Sequence, residues 1–222
     1  MWIGASLPAT WLVADFLRDE LGANPIEEVL HRLGWWGLVF LTLSLAVTPV
    51  RRLTGWNRLI RHRRFLGLWA FSYLSAHFLS YVVLDQFFAW SFILEDIAER
   101  PFIMSGFAAW LLLVPLAVTS TKGWIRRLGK RWTRLHRLVY VAALLGALHF
   151  YWKVKADTQQ PLVFALILVT LLLLRTPAVQ RRLVARKKAT RAKTTNAATP
   201  RQGAAASADG RESDPRRRAG GP

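Results

Sequence analysis

The stretch RRFLGLWAFSYLSAHFLSYVVL, residues 63–84, places a histidine, His77, in the middle of an almost wholly apolar segment. A second stretch, LHRLVYVAALLGALHFYW (residues 135–152), carries His136 at its start and His149 near its end. Each stretch is long enough to cross the hydrocarbon core of a membrane as an α-helix, which takes about 17–25 residues. Polar side chains at that depth are costly, so these histidines require a chemical explanation.

The whole chain has the composition of a membrane protein. Of its 222 residues, 53% are hydrophobic and 11 are tryptophan, which exceeds what a soluble domain of this size buries. Backbone groups in lipid must bond within their own segment, so each long apolar run is predicted to be a helix. We therefore predict an all-α integral membrane protein, a bundle of about six transmembrane helices. The runs cover residues 2–17, 35–50, 65–84, 102–119, 135–152 and 160–175.

The first run has an alternative interpretation as a signal peptide. It is short and contains Pro8 and Asp15, which are unusual inside a membrane span. A signal peptide would have a basic segment before the apolar run and small residues at a cleavage site after it, and neither pattern is visible. A transmembrane helix is the favoured interpretation.

Charge divides the connections between the predicted spans into two groups. The connections that precede residues 65 and 135 are basic, and those at 18–34 and 85–101 are acidic. The positive-inside rule places the basic connections and both termini in the cytoplasm. The basic residues are Arg51, Arg52, Arg58, Arg61, Arg63, Arg64, Lys122, Arg126, Arg127, Lys130, Arg131 and Arg134. The acids are Asp19, Glu20, Glu27, Glu28, Asp85, Glu95, Asp96 and Glu99, against Arg18, Arg32 and Arg100.

Residues 1–175 are predicted to form the membrane domain, and residues 176–222 a disordered basic cytoplasmic tail with almost nothing to bury. A net charge of +18 can indicate a nucleic-acid-binding protein. Here the basic residues are explained by cytoplasmic connections and by a cluster beside the membrane that would lie on anionic lipid. We therefore expect membrane lipid, and no nucleic acid, as a partner.

The chain has no cysteine, which excludes disulfides, thiolate metal sites and cysteine-ligated iron–sulfur clusters. Measured along their helices, His77 lies about 21 Å beyond Arg63 and His149 about 20 Å beyond His136. The two helices are predicted to be parallel, so both histidines reach the same level. Two imidazoles at one level can supply the axial ligands of a haem iron, with the porphyrin between the helices.

Two other uses of the pair remain open. A zinc or copper site would need a third or fourth ligand, and none is visible near the pair. A proton relay also uses histidines within the membrane, but spans 65–84, 102–119 and 135–152 contain no Asp or Glu.

The remaining candidates lie at the edges of the predicted spans. His136 is at the cytoplasmic edge, where it is either an interfacial polar residue or a ligand of a second haem whose partner is missing. Arg63 cannot ligate iron, although it could pair with a haem propionate. The 13 residues from His136 to His149 turn about 220° along a regular helix, so shared ligation would require a bend. His31 and His62 are predicted to lie in loops.

Several motifs, in this order and spacing, resemble the MsrQ family (formerly YedZ), the haem-binding membrane subunits of the bacterial protein-methionine-sulfoxide reductase system. They are RRFLGLWAFSYLSAHFLSY, RPFIMSG, LAVTSTKGWIRRLGKRWTRLHRLVY and HFYWKVK, with LGANPIEEVLH ahead of the second span. The resemblance covers about residues 20–175. The family belongs to the ferric-reductase-like transmembrane group, which also includes the membrane part of NADPH oxidases.

The resemblance implies a b-type haem ligated by His77, His149 and His136, with Arg63 where the oxidases have their fourth ligand. It also implies FMN as a cofactor and electrons from the quinone pool or a cytoplasmic flavin reductase. The electrons would pass to MsrP, a periplasmic molybdopterin enzyme that reduces methionine sulfoxide in damaged proteins. The chain would be an electron-transfer subunit rather than the catalytic one, located in the bacterial inner (cytoplasmic) membrane.

The chain shows no glycine-rich dinucleotide fingerprint, so its electrons must come from another protein or a quinone. The alternative function is a small polytopic transporter or assembly factor that uses its histidines in a proton relay or for packing.

Overall fold

Helices account for the regular structure of the chain, as the long apolar runs predict. The computed structural model describes residues 2–154 and 158–176, with isolated positions at 179, 181 and 185, and this part contains no strand. The predicted tail at 176–222 lies almost entirely outside the described residues. The helices are α1 (Trp2–Leu17), α2 (Pro25–Thr54), α3 (Ile60–Ser80), α4 (Trp90–Glu99), α5 (Pro101–Val118), α6 (Lys122–Leu128), α7 (Lys130–Leu135), α8 (Leu138–Lys153) and α9 (Gln159–Leu173).

Local sequence explains why α2 begins inside the connection predicted at 18–34. The Asn24 side chain accepts a hydrogen bond from the Glu27 amide, and Pro25 stands at the first helical position. Glu27 and Glu28 lie in the first turn, where carboxylates interact favourably with the helix dipole. The helix ends at Gly55, whose φ of 80° is in the left-handed region.

The predicted loop positions of His31 and His62 are wrong. His31 lies in the second turn of α2, because the cap at Asn24 starts the helix earlier than its apolar run indicates. His62 lies in the first turn of α3, which begins at Ile60 directly after a 3₁₀ turn at Asn57–Leu59. α3 passes at its other end into a π-helical segment, Tyr81–Asp85.

Three helical segments are long and apolar enough to cross a membrane: Pro25–Thr54, Asn57–Asp85 and Pro101–Val118. The shorter apolar helices include Ile3–Leu17 and Gln159–Leu173. α8, with 16 residues, coincides with the predicted span 135–152 to within three residues. Many large apolar side chains are exposed, for example Trp11 and Leu166, as expected for surfaces that face lipid. The helical membrane class is thereby established, whereas the count of six spans stays a prediction.

Four helices, α2, α3, α5 and α8, form a ring in which neighbours are antiparallel. Contacts between α2 and α3 pair Leu30 with His77 at one end and Ser44 with the Arg63 backbone towards the other. α5 and α8 meet in the same manner, through Phe102 with His149 and, just beyond the two helices at the other end, Thr119 with His136. The acidic connections therefore lie at one end of the ring and the basic connections at the other. We call these the acidic end and the basic end.

Close contacts between neighbouring helices hold the ring of α2, α3, α5 and α8 together. α3 packs on α5 through Phe78 and Trp110, whose ring centroids are 4.6 Å apart. A Cβ atom at Gly37 of α2 would lie 2.6 Å from Cδ2 of Leu74, so this glycine allows α2 and α3 to approach closely. Lys153 of α8 donates a 3.2 Å hydrogen bond to Glu27 of α2 and closes the ring at the acidic end.

Tyr73 of α3 holds α1 against the ring. Its hydroxyl donates to the Ala5 carbonyl at 2.8 Å and accepts from the Ala9 amide at 3.1 Å. These are two groups that a regular helical turn joins directly. Pro8 lies between them and is unable to donate a backbone hydrogen bond, so the tyrosine occupies a weak point of α1.

Candidate functional site

His77 and His149 face each other across the ring of helices. Their ring centroids are 6.1 Å apart and their planes are inclined by 74°. His77 comes from α3 and His149 from α8, and both side chains line one cavity of about 740 Å³. Cofactor sites typically have volumes of about 300–1,000 Å³. Of the residues predicted to form the site, these two are brought together.

Each imidazole is oriented by a backbone carbonyl of the neighbouring helix. Nδ1 of His77 lies 2.8 Å from the Leu30 carbonyl oxygen of α2, and Nδ1 of His149 lies 2.7 Å from that of Phe102 of α5. A carbonyl can only accept, so Nδ1 of each ring carries the proton and donates it. The opposite nitrogen, Nε2, then keeps its lone pair. A fixed tautomer with a free Nε2 is the form in which histidine binds a metal.

A glycine stands four residues after each of these carbonyls and makes room for the ring. A Cβ atom at Gly34 would lie 3.2 Å from Nδ1 of His77, and one at Gly106 would lie 2.6 Å from Nδ1 of His149. An added Cβ at Gly106 would force the His149 imidazole or its surroundings to move, and one at Gly34 would crowd the His77 imidazole by a few tenths of an ångström. The two halves of the ring of helices thus use the same arrangement of carbonyl, glycine and histidine.

The cavity is apolar near its centre and charged at its mouth. Its walls include Leu38, Leu74, Leu113, Phe107 and Trp110, and its rim at the acidic end includes Glu27, Arg32, Arg100 and Lys153. The three basic side chains are ion-paired: Arg32 with Asp15 and Glu28, Arg100 with Asp96, and Lys153 with Glu27. An apolar body with a charged edge is the shape of a porphyrin, whose macrocycle carries two carboxylates on one side.

The distance between the rings fits a six-coordinate iron. Two metal–nitrogen bonds of about 2 Å, as imidazole makes to first-row metals, plus the radius of each ring account for a centroid separation close to 6.1 Å. Among residues 2–154 and 158–176, no three His, Asp or Glu side chains lie together as a metal-binding group. The pair is therefore suited to a metal that brings its other ligands with it, as haem does.

His136 and Arg63 lie away from this pair, near the basic end. Nε2 of His136 is 3.3 Å from Oγ1 of Thr119, and its ring lies 3.9 Å from that of Trp132. Arg63 is its electrostatic neighbour. The chain turns at His136 and Arg137 before α8 begins, so the two histidines of the second stretch do not share one continuous helix.

Leu30, Phe102, Gly34 and Gly106 are functional positions that sequence reasoning missed. A backbone carbonyl leaves no signature in the sequence, because every residue has one. The glycines carry a weak signal, since glycine within an apolar helix usually marks a close approach. Both histidines lie 47 residues beyond their carbonyl partners, a regularity that becomes visible once the partners are known.

The fold and the site together define a class of protein: a helical membrane protein with a pair of histidines facing each other inside the bundle. Comparison with protein families agrees with this class, because residues 33–147 match the family described as "Ferric reductase like transmembrane component". This segment covers more than half of the chain and contains α3, α5 and His77. The chain belongs to this family.

Comparison with individual proteins assigns the chain to one group within this family. It is 56% identical over 184 residues to a protein of Rhodospirillum rubrum, a match that covers 82% of this chain and 88% of the relative. It is 50% identical over 191 residues to one of Xanthomonas euvesicatoria pv. vesicatoria (86% of each chain) and 51% identical over 178 residues to one of Herminiimonas arsenicoxydans (79% and 82%). All three are named "Protein-methionine-sulfoxide reductase heme-binding subunit MsrQ". Within the family, the chain belongs with the MsrQ proteins.

Proposed function

We propose that this chain is a haem b electron-transfer subunit of a protein-methionine-sulfoxide reductase. The observation that carries the proposal is the facing pair His77 and His149, each with its tautomer fixed so that Nε2 is free. The names of the relatives, which call them heme-binding subunits, support it. When bound, haem would supply a one-electron carrier within the membrane.

The residues of the chain then have separate tasks. His77 and His149 would hold the haem iron through their Nε2 atoms, and the carbonyls of Leu30 and Phe102 hold the rings in position and make the free nitrogens more basic. The apolar walls exclude water from the metal. Arg32 and Lys153 at the rim are placed to meet carboxylates of the porphyrin, in exchange for their present partners: Asp15 and Glu28 for Arg32, and Glu27 for Lys153.

The direction of electron transfer is part of the same proposal. Electrons enter at the basic end from the quinone pool or a cytoplasmic flavin reductase, with FMN as a further cofactor, and leave at the acidic end to the periplasmic reductase MsrP. The cavity opens among the acidic connections, which supports an acceptor on that side. We infer a multi-pass protein of the bacterial inner membrane with both termini in the cytoplasm, from the distribution of Lys and Arg.

A proton relay is less well supported than haem ligation. A relay requires each ring to exchange protons at both nitrogens, but Nδ1 of His77 and of His149 is held by a backbone carbonyl. A carbonyl cannot return a proton to the ring. The hydrogen bonds therefore favour a ligand over a carrier of protons.

The absorption spectrum of the purified full-length protein tests the proposal. We expect the dithionite-reduced protein to show the sharp α band of a low-spin b-type haem, because two imidazoles give a strong axial field. A reduced sample, supplied with haem during expression, that shows no such band would contradict haem binding and leave the relay as the better explanation.

The salt dependence of electron transfer tests the position of the acceptor. Glu95 and Glu99 of α4 are exposed and take part in no ion pair among the described residues, so their charges are available to a partner with a basic face. We expect Glu95→Gln with Glu99→Gln to slow association with purified MsrP at low salt and to have little effect at high salt, because ions screen such attraction. Stopped-flow oxidation of the reduced haem measures the rate.

The matched control is Glu20→Gln, an exposed acid in another connection of the same end. Asp96 is left unchanged, since it accepts a hydrogen bond from Tyr81 and pairs with Arg100. If neither salt nor the double substitution changes the association rate, the acids mark only the topology and docking takes place elsewhere.

A further inference from the structure

The basic end contains a group of partly buried arginines that no described carboxylate neutralises. Its members are Arg51 of α2, Arg63 of α3 and Arg175, which follows α9. Every described Asp or Glu stands within residues 15–28 or 85–99, which is to say at the acidic end. Uncompensated charge in a membrane is costly, so such a group indicates an anion that comes from elsewhere.

Arg175 is anchored at a defect of α2. Pro49 has no amide hydrogen, so the Leu45 carbonyl lacks its usual partner four residues on. A terminal nitrogen of the Arg175 guanidinium donates to that carbonyl, and the other donates to the Tyr140 hydroxyl at 2.7 Å. Its Nε is buried and has no hydrogen-bond partner among the described residues. The two terminal nitrogens of Arg175 thus have structural partners, and its Nε remains available to a further acceptor.

Arg63 lies beside Arg175, close enough for the two positive charges to repel each other. The Arg63 backbone carbonyl accepts a hydrogen bond from Ser44, which fixes the start of α3 against α2. No hydrogen bond or ion pair holds the Arg63 guanidinium within the part of the chain that the structure describes. It is half-buried, so its charge is poorly solvated.

Thr48 and Arg51 continue the group along α2. Thr48 follows Ser44 by four residues and Arg51 follows Thr48 by three, which puts all three on one face of the helix, towards Arg63. Oγ1 of Thr48 and Nε of Arg51 are both buried without a hydrogen-bond partner. Buried polar atoms are nearly always bonded, so several such donors close together indicate a missing acceptor.

We propose that Arg51, Arg63 and Arg175, with Thr48, bind the phosphate group of an anionic phospholipid at the basic end. Phosphate oxygens accept several charge-assisted hydrogen bonds from guanidinium groups. A lipid fits better than a soluble phosphate because exposed apolar side chains lie within three residues of these arginines along the chain: Val50, Leu53, Ile60 and Leu173. Such side chains give acyl chains a surface beside the headgroup, and basic pockets between membrane helices bind anionic lipids in this manner.

The test uses the full-length protein in nanodiscs of phosphatidylcholine with and without phosphatidylglycerol. The variants are Arg63→Gln and Arg51→Gln, and Arg64→Gln is the matched control because Arg64 is exposed and adjacent in sequence. Native mass spectrometry measures the phosphatidylglycerol retained after release. Because each variant loses a charge-assisted hydrogen bond, we expect it to retain this lipid at least on the order of tenfold more weakly, and the control to match the wild type.

Three outcomes of this test would overturn the proposal. Equal lipid retention in all four proteins would mean that the arginines act on the membrane as a diffuse charge. Stabilisation by inorganic phosphate in neutral detergent, lost in Arg63→Gln without any change in lipid retention, would assign the group to a soluble phosphate ligand. Loss of haem from Arg63→Gln with unchanged lipid retention would assign Arg63 to a haem propionate instead. The thermal unfolding midpoint of each variant serves as the fold control, and the proposed function does not depend on the result.

Discussion

Replacing His77 or His149 by alanine is expected to remove nearly all haem from the protein. In the proposed function each ring would hold the haem iron through its Nε2, and His77 and His149 are the two imidazoles whose rings face each other among the described residues. Changing an outer partner of a metal ligand typically lowers affinity about 10–100-fold, so loss of the ligand itself should exceed that. Haem content per protein after purification measures the effect, and any haem that remains should be high-spin in its ferric spectrum.

His136 provides the comparison for these two variants. It lies near the basic end, hydrogen-bonded to Thr119 and with its ring tilted against that of Trp132, so His136→Ala is expected to lose less haem than either of the others. His62→Ala is the control, because His62 lies in the first turn of α3 and does not line the cavity. Equal loss in the His77, His149 and His136 variants would contradict the ranking and indicate that all three histidines share in ligation.

Much of the fold follows from apolar runs in the sequence. α5 was expected at 102–119 and is found at 101–118, because an 18-residue apolar segment in lipid has few alternatives to a helix. The meeting of His77 and His149 also follows, since helix rise and helix direction put them at one level. Helices outside the predicted spans were harder to predict from the sequence. α4 lies in the connection at 85–101, and its ten residues are amphipathic rather than uniformly apolar.

Long-range polar contacts could not be predicted. Pro49 is visible in the sequence and predicts an orphaned carbonyl at Leu45, but nothing indicates that Arg175, 130 residues later, donates to it. The left-handed backbone at Phe87 and Phe88, with φ of 46° and 60°, is equally hidden, because bulky residues rarely adopt it. Such features depend on how the helices pack, and the helix-forming pattern carries no record of it.

The glycine beneath each histidine is where a small change should have a large effect. A Cβ atom at Gly106 would lie 2.6 Å from Nδ1 and 2.9 Å from Cε1 of His149, closer than such atoms approach in proteins. The His149 imidazole must therefore move away from the Phe102 carbonyl oxygen, which lies 2.7 Å from its Nδ1. We expect Gly106→Ala to abolish the low-spin spectrum, and overpacking of this kind typically costs about 1–3 kcal/mol of folding free energy.

Substitutions at two further glycines are expected to have smaller effects than Gly106→Ala. At Gly34 the corresponding distance to Nδ1 of His77 is 3.2 Å, so Gly34→Ala should weaken haem binding less. Gly123 of α6 has no atom within 4 Å of an added Cβ, and Gly123→Ala should leave the spectrum unchanged. Ferric and ferrous spectra of the three variants, with thermal unfolding midpoints, measure the series. If Gly106→Ala and Gly123→Ala retain haem equally, the ring of His149 is free to move, and neither the glycine nor the carbonyl determines its position.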